Sequence, residues 1–142
     1  MSKAIIEQLQ TDGRRSYASI GKSVGLSEAA VRQRVQRLVD LKVIQVVAVT
    51  DPMQLGFARQ AMIGIRCHGD STAIAEKLAE VETIVYVVLT AGTFDIITEV
   101  VCADDADLLN LLNEIRSIPG VLATETFFYL KLVKQHYNWG TR

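Results

Sequence analysis

The residues richest in chemistry lie close together near the amino end. Ser27 is followed by Ala29, Arg32, Gln33, Gln36 and Arg37. Val31, Val35 and Leu38 recur at i, i+4 and i+7, the spacing of one inward helix face, and at 100° per residue they turn those other side chains outward. Arginine can grip guanine O6 and N7 with two hydrogen bonds, and glutamine can grip adenine in the same way. Each good pair discriminates between bases by about 1–3 kcal/mol. Ala29 is small enough to admit close approach or to touch a thymine methyl. Arg34 projects toward the flank and suits a phosphate contact. Arg14, Arg15, Ser16, Tyr17 and Lys22 suit phosphates too, because hydroxyls, cations and helix amino ends hold them well. A solvated basic helix face produces the same pattern without any nucleic acid, so the spacing has to be weighed with its setting.

That setting is a run of three short helices. Ile5, Ile6 and Leu9 form the stripe of the first, which Thr11-Asp12-Gly13 ends. Ser16 is placed to cap a second helix that buries Ile20 and Val24. Gly25-Leu26-Ser27 then makes a turn, and Ser27 caps a third helix from Glu28 to about Leu41. A helix, a tight glycine turn and a longer amphipathic helix are the grammar of a helix-turn-helix, which lays the amino end of its last helix in the major groove. Charge points the same way. Residues 1–50 carry eight Lys/Arg against four Asp/Glu, a balance of +4, while residues 51–142 carry seven against twelve, a balance of −5. One half is therefore suited to a polyanion and the other is not.

Beyond the third helix the period changes. Val43–Thr50 is β-branched and strand-like, Asp51-Pro52 breaks it, and residues 42–57 read as a connector. There follow a strand over Ala58–Cys67, a helix over Ser71–Glu80, strands over Ile84–Thr90 and Phe94–Cys102, a helix over Asp104–Ser117 and a strand over Val121–Val133. This βαββαβ order predicts a four-stranded antiparallel sheet with both helices on one face. The chain thus reads as α+β, with a winged-type helix-turn-helix over residues 1–50 and a ferredoxin-like α/β sandwich over residues 58–142. Strand Ile84–Thr90 is apolar on both sides, with Ile84, Tyr86 and Val88 opposite Val85, Val87 and Leu89. Ile97 and Val101 likewise oppose Phe94, Ile96, Thr98 and Val100. Two helices cover one face only, so the uncovered apolar face predicts a homodimer.

Asp12-Gly13-Arg14-Arg15-Ser16, Val24-Gly25-Leu26-Ser27 and Val31-Arg32-Gln33-Arg34-Val35-Gln36-Arg37-Leu38 together resemble the N-terminal domain of the Lrp/AsnC (feast/famine) family of transcription factors. Val43-Ile44 and the βαββαβ half are similar to the rest of that family, so the likeness spans essentially the whole chain. It implies double-stranded DNA as a partner and a RAM-type C-terminal domain that senses a small molecule, commonly an amino acid. It also implies dimers that assemble into higher even-numbered oligomers such as an octamer. Two departures stand out: Lys42 replaces the usual glycine before Val-Ile, and Gly21 replaces the usual alanine inside the second helix, at about 1 kcal/mol of helix propensity.

The same resemblance marks an effector site. Gly92-Thr93-Phe94-Asp95 is similar to the family's Gly-x-x-Asp loop, where glycine permits positive φ and leaves N–H groups free for a carboxylate. Asp95 either holds an ammonium group or braces the loop. Thr124 and Thr126 match positions that line the pocket, and Asp104 is expected to face the same opening. Each has a plainer explanation as well: a hairpin needs Gly92, Asp104 is a good helix cap, and threonine favours strands.

The remaining chemistry is thin. Cys67 and Cys102 fall at opposite ends of neighbouring antiparallel strands, too far apart for a disulfide. His68 and His136 lack partners at metal-ligand spacing. No nucleophile–base pair or phosphate loop is present, so neither an enzyme nor a resident cofactor is expected beyond the amino-acid effector. No apolar run reaches the roughly 20 residues that span a bilayer, and the expected place is the cytoplasm, at the nucleoid. The competing function is an amino-acid-sensing or protein-interaction module that binds no DNA.

Overall fold

The computed structural model describes residues 2–137 and 141. The chain divides into two units, Met1–Val49 with Val133–Arg142, and Thr50–Leu132. Sequence patterning assigned residues 58–142 to the second domain; of these, the described residues 133–137 group with the helical unit.

The first unit holds α1 (Ser2–Thr11), α2 (Tyr17–Val24) and α3 (Glu28–Asp40). Ile5, Ile20, Val31 and Val35 are its buried centre, with Leu9, Tyr17, Val24, Leu26 and Ile44 packed around them. Ser16 caps α2 by accepting the Ser19 N–H at 3.2 Å, and Ser27 caps α3 by accepting the Ala30 N–H at 3.2 Å, as their positions predict. Gly25 ends α2 in the left-handed region at φ 72°. The turn then folds back tightly: a Cβ at Gly21 would lie 2.5 Å from the Leu26 carbonyl oxygen. The glycine inside α2 is therefore a contact site for the turn, and its propensity cost admits the close approach.

α3 ends in a Schellman motif, with the Val43 N–H bonded to the Leu38 carbonyl at 2.9 Å and the Lys42 N–H to the Val39 carbonyl at 2.9 Å. That motif needs a left-handed residue, and Lys42 occupies it at φ 54°. From Ile44 to Thr50 the backbone joins no strand. The expected strand over Val43–Thr50 does not form, because β-branched residues supply propensity but no second strand within the chain offers hydrogen-bond partners.

The second unit holds a short 3₁₀ turn (Pro52–Leu55), β1 (Arg59–Cys67), α4 (Ser71–Ala79), β2 (Ile84–Leu89), β3 (Ile96–Cys102), α5 (Asp105–Ser117) and β4 (Val121–Phe128). The sheet order is β2-β3-β1-β4, with every pairing antiparallel. Ala61, Ile63 and Ile65 of β1 and Ile96, Val100 and Cys102 of β3 meet Ile74 and Leu78 of α4 and Leu108, Leu111 and Ile115 of α5 in one core. Arg59 ties the start of β1 to the start of α5 through a two-point ion pair with Asp105. The hydrogen bond from Arg59 holds the Asp105 carboxyl below its ordinary value. Its contribution is therefore present above the usual carboxylate range and lost as pH falls through it.

Three boundaries differ from the sequence reading. β4 stops at Phe128, opposite Ala61; Tyr129 still bonds Gln60, but β1 begins at Arg59 and residues through Val133 outrun their partner. β3 begins at Ile96 because β2 ends at Leu89 and residues 90–95 form the loop between them. A bulge between Ile84 and Tyr86 sets Ile84 opposite Val100 on the helix-covered face, together with Val87, and not beside Tyr86 and Val88.

A non-glycine residue held left-handed costs about 1–2 kcal/mol. Lys42→Gly is thus expected to stabilise the helical unit by about 1 kcal/mol, read as a higher urea midpoint of the helical circular-dichroism signal.

Candidate functional site

On α3 the geometry follows the outward reading. Ala29, Arg32, Gln33, Gln36 and Arg37 are exposed, and Arg34 is half-buried at the flank. Two of these side chains are already held. The Arg32 guanidinium donates to Glu28 at 2.8 Å and sits 5.3 Å from the centre of the Tyr17 ring. The Gln36 amide donates to Asp40 at 2.8 Å. Gln33, Arg34 and Arg37 instead line an open groove of about 410 Å³ with Ser2, Leu38 and Leu41. Arg14 and Lys22 are exposed, while the hydroxyls of Ser16 and Ser27 are engaged as helix caps.

Arg15 departs from its expected part. Its guanidinium donates to Gln8 of α1 and to the hydroxyls of Ser19 and Ser23 of α2, the last two at 3.2 Å each. With three of its five N–H donors engaged inside the unit, this cation braces α1 against α2 and has fewer donors left for a phosphate. Sequence patterning could not show this, because Gln8 lies on α1 and Arg15 in the turn after it, and only their folded placement brings the two together.

In the second unit the loop between β2 and β3 is tied down at its far end. The Asp95 carboxylate accepts the Cys67 N–H at 2.8 Å and the Asp95 N–H reaches the Ile65 carbonyl at 3.0 Å. Of the two roles open to Asp95, the structure displays the brace. Burial, and then Asp95, pushes the Cys67 thiol up from its ordinary value. Phe94 lays its ring across Gly64, where a Cβ would come within 2.6 Å of it. The ring also meets Phe127 edge-on, with 6.1 Å between centres. Gly92 and Thr93 are exposed at the tip. Contrary to expectation, Gly92 does not adopt positive φ, and a Cβ there would meet nothing within 4 Å. The hairpin itself makes no demand for glycine at that position.

Thr124 and Thr126 stand opposite Ile65 and Ile63, on the helix-covered side. Thr124 accepts a hydrogen bond from Arg116 of α5 at 3.0 Å. Because Ile65 in turn pairs with Ile96, Thr124 lies in the row of the sheet nearest the Gly92–Asp95 loop. Asp104 does not share that opening. It follows β3 whereas the loop precedes it, and seven residues at roughly 3.3 Å each separate the two ends by about 23 Å. Asp104 instead caps α5, accepting the Asp107 N–H at 2.9 Å. Cys67 and Cys102 are likewise at opposite ends, since Arg59 is the residue paired with Cys102.

α4 and α5 pack on one face of the sheet and leave the other uncovered within this unit. Met62, Tyr86 and Phe127 are exposed on it, with Val88, Ile97 and Val101 partly covered. A polar cluster sits among them: Gln60 donates to Glu99 at 2.8 Å, and burial together with the neighbouring Glu99 pushes the Tyr129 hydroxyl up to about 12. The aromatic tail Tyr137-Asn138-Trp139-Gly140, which the sequence offered as packing material, lies mostly outside the described residues.

The Arg15 brace is open to test. Arg15→Met is expected to cost the helical unit about 1 kcal/mol, while leaving the salt dependence of DNA binding at the wild-type slope. Arg14→Ala is expected to reduce that slope by about 0.9 if Arg14 meets a phosphate.

Comparison with known proteins agrees with this geometry. Residues 1–39 match the AsnC-type helix-turn-helix domain and residues 60–139 the Lrp/AsnC ligand binding domain. The HTH-type transcriptional regulator FL11 of Pyrococcus horikoshii is 34% identical over 95% of this chain and 91% of its own length. The leucine response regulatory protein LrpA of Mycobacterium tuberculosis superimposes with a TM-score of 0.85 at 26% identity, covering 94% of this chain and 93% of that one. The fold is also that of the Neisseria meningitidis transcriptional regulator NMB0573, described as a complex with L-Met, at TM-score 0.80 and 21% identity over 95% and 91% of the two chains. With the helix-turn-helix, its caps and the βαββαβ domain all in place, the chain belongs to the Lrp/AsnC family and is a DNA-binding transcriptional regulator.

Proposed function

We propose that this regulator reads operator DNA with Ala29, Arg32, Gln33, Gln36 and Arg37 and responds to an amino acid or related metabolite at its Gly92–Asp95 loop. The observation that carries the reading is the outward face of the Ser27-capped α3, where base-reading side chains are exposed in a domain of net charge +4. Arg14, Lys22 and Arg34 hold phosphates on either side of it. The chain works as a homodimer joined through the helix-free face of its sheet and builds larger even-numbered assemblies, acting at the nucleoid in the cytoplasm. Pairing sets two copies of α3 on successive major grooves about 34 Å apart. Effector captured where subunits meet changes that spacing, and by linkage DNA changes the affinity for effector by the same factor.

An effector role for the loop is supported by Gly92. Nothing within the chain requires glycine there, yet its exposed backbone leaves room for a ligand carboxylate to approach. Thr124 lies in the adjoining row, and Thr126 one step further along β4. Asp104 is not part of this proposal.

Thermal-shift screening against the twenty L-amino acids, beginning with L-methionine, is expected to raise the midpoint for at least one of them. Gly92→Ala should leave the unliganded midpoint unchanged and abolish that rise; a rise equal to the wild type would remove the loop from the site. Light scattering should give a dimer or an even multiple at micromolar concentration, and a monomer would refute the sheet-face assembly.

A further inference from the structure

The Glu28–Arg32–Tyr17 contact has no counterpart in the roles assigned so far. An acidic residue on the first turn of a reading helix faces a polyanion, which is costly unless the charge is put to use. Glu28 suits the positive end of the α3 dipole, and that would suffice on an ordinary surface helix. Here, however, its carboxylate also grips Arg32 at 2.8 Å, while both side chains remain more than half exposed. The same guanidinium lies 5.3 Å from the centre of the ring of Tyr17, the first residue of α2. Arg32 is thus anchored from two directions, by its own helix and by the helix that crosses the DNA backbone.

We infer that Arg32 is the guanine-reading residue of α3 and that Glu28 is its positioning residue; this rests on the DNA-reading face proposed above. An arginine side chain is long, and an unrestrained one spends much of its binding free energy on becoming ordered. Glu28 engages one of the five guanidinium N–H donors, and the contact with Tyr17 engages none. Donors therefore remain for the two parallel bonds to O6 and N7. Pre-positioning confines the cation to one base pair, and the glutamate cancels the charge that would otherwise draw Arg32 to the nearest phosphate. Gln33 and Arg37, which carry no such restraint among the described residues, adapt to the rest of the site.

The test is selection from a randomised double-stranded DNA library with the full-length wild type, Arg32→Ala and Glu28→Ala, with thermal midpoints measured alongside. Arg32→Ala is expected to lose preference for guanine at one position of the selected site, by about 5- to 150-fold. Glu28→Ala is expected to relax that same position and no other, and to bind unselected DNA more tightly at low salt, because a negative charge has left the interface. A helix-dipole role alone would lower the midpoint and shift no base preference, and that result would overturn the inference. So would a Glu28→Ala motif identical to the wild type, or one altered at a different position from that of Arg32→Ala. Wild-type protein that enriches no motif at all would instead overturn the proposed reading face, and the inference with it.

Discussion

Two helices can cover one face of a four-stranded sheet and no more. That limit organises the second half of this protein. Ala61, Ile63, Ile65, Ile96 and Val100 turn to α4 and α5 and form a core with them, while Met62, Tyr86 and Phe127 are left exposed on the far side. The sheet is thus stable as a unit without being finished as a surface. Phe94 connects the two facts: it leaves the loop between β2 and β3, crosses Gly64 and meets Phe127 on the uncovered face. Loop and face are one packed assembly, so displacement of the loop backbone alters what the face presents.

The helical unit obeys a different constraint, the direction of α3. Three local devices set it. Gly25 turns the chain left-handed, Gly21 lets the Leu26 carbonyl settle against α2, and Ser27 satisfies the opening turn of α3. Each is worth little alone, but together they leave α3 only one way to emerge, with Val31 and Val35 inward. Arg15 then fastens α1 to the same frame through Gln8.

How far the sequence disclosed this depends on the range of the interaction concerned. Caps, turns and apolar stripes are local, and Ser16, Ser27 and Val31-Val35-Leu38 were legible for that reason. The βαββαβ order and the pairing of β1 with β3 followed from element order alone. What escaped was set by a distant partner or by its absence. Val43–Thr50 has the composition of a strand but no described strand pairs with it; β4 ends where β1 does; the bulge after Ile84 breaks an alternation that the residues themselves continue. Asp104 was expected at the opening beside Gly92, but the two lie at opposite ends of β3. Lys42 shows the opposite case, where a departure from the family pattern marked a real conformational feature, the left-handed residue of a Schellman motif.

The engagement of Arg15 within its own unit has a consequence for how the regulator must work. With Arg15 internal and Arg32 balanced by Glu28, a single head offers a polyanion only a handful of unengaged cations. Few released counterions mean a weak grip with a shallow dependence on salt. Holding two such heads on one assembly makes the second encounter intramolecular, and avidity then exceeds the strength of either head by about 10²–10⁴-fold. Control of transcription can therefore reside in whether, and at what separation, the heads are coupled, without any change to the heads themselves.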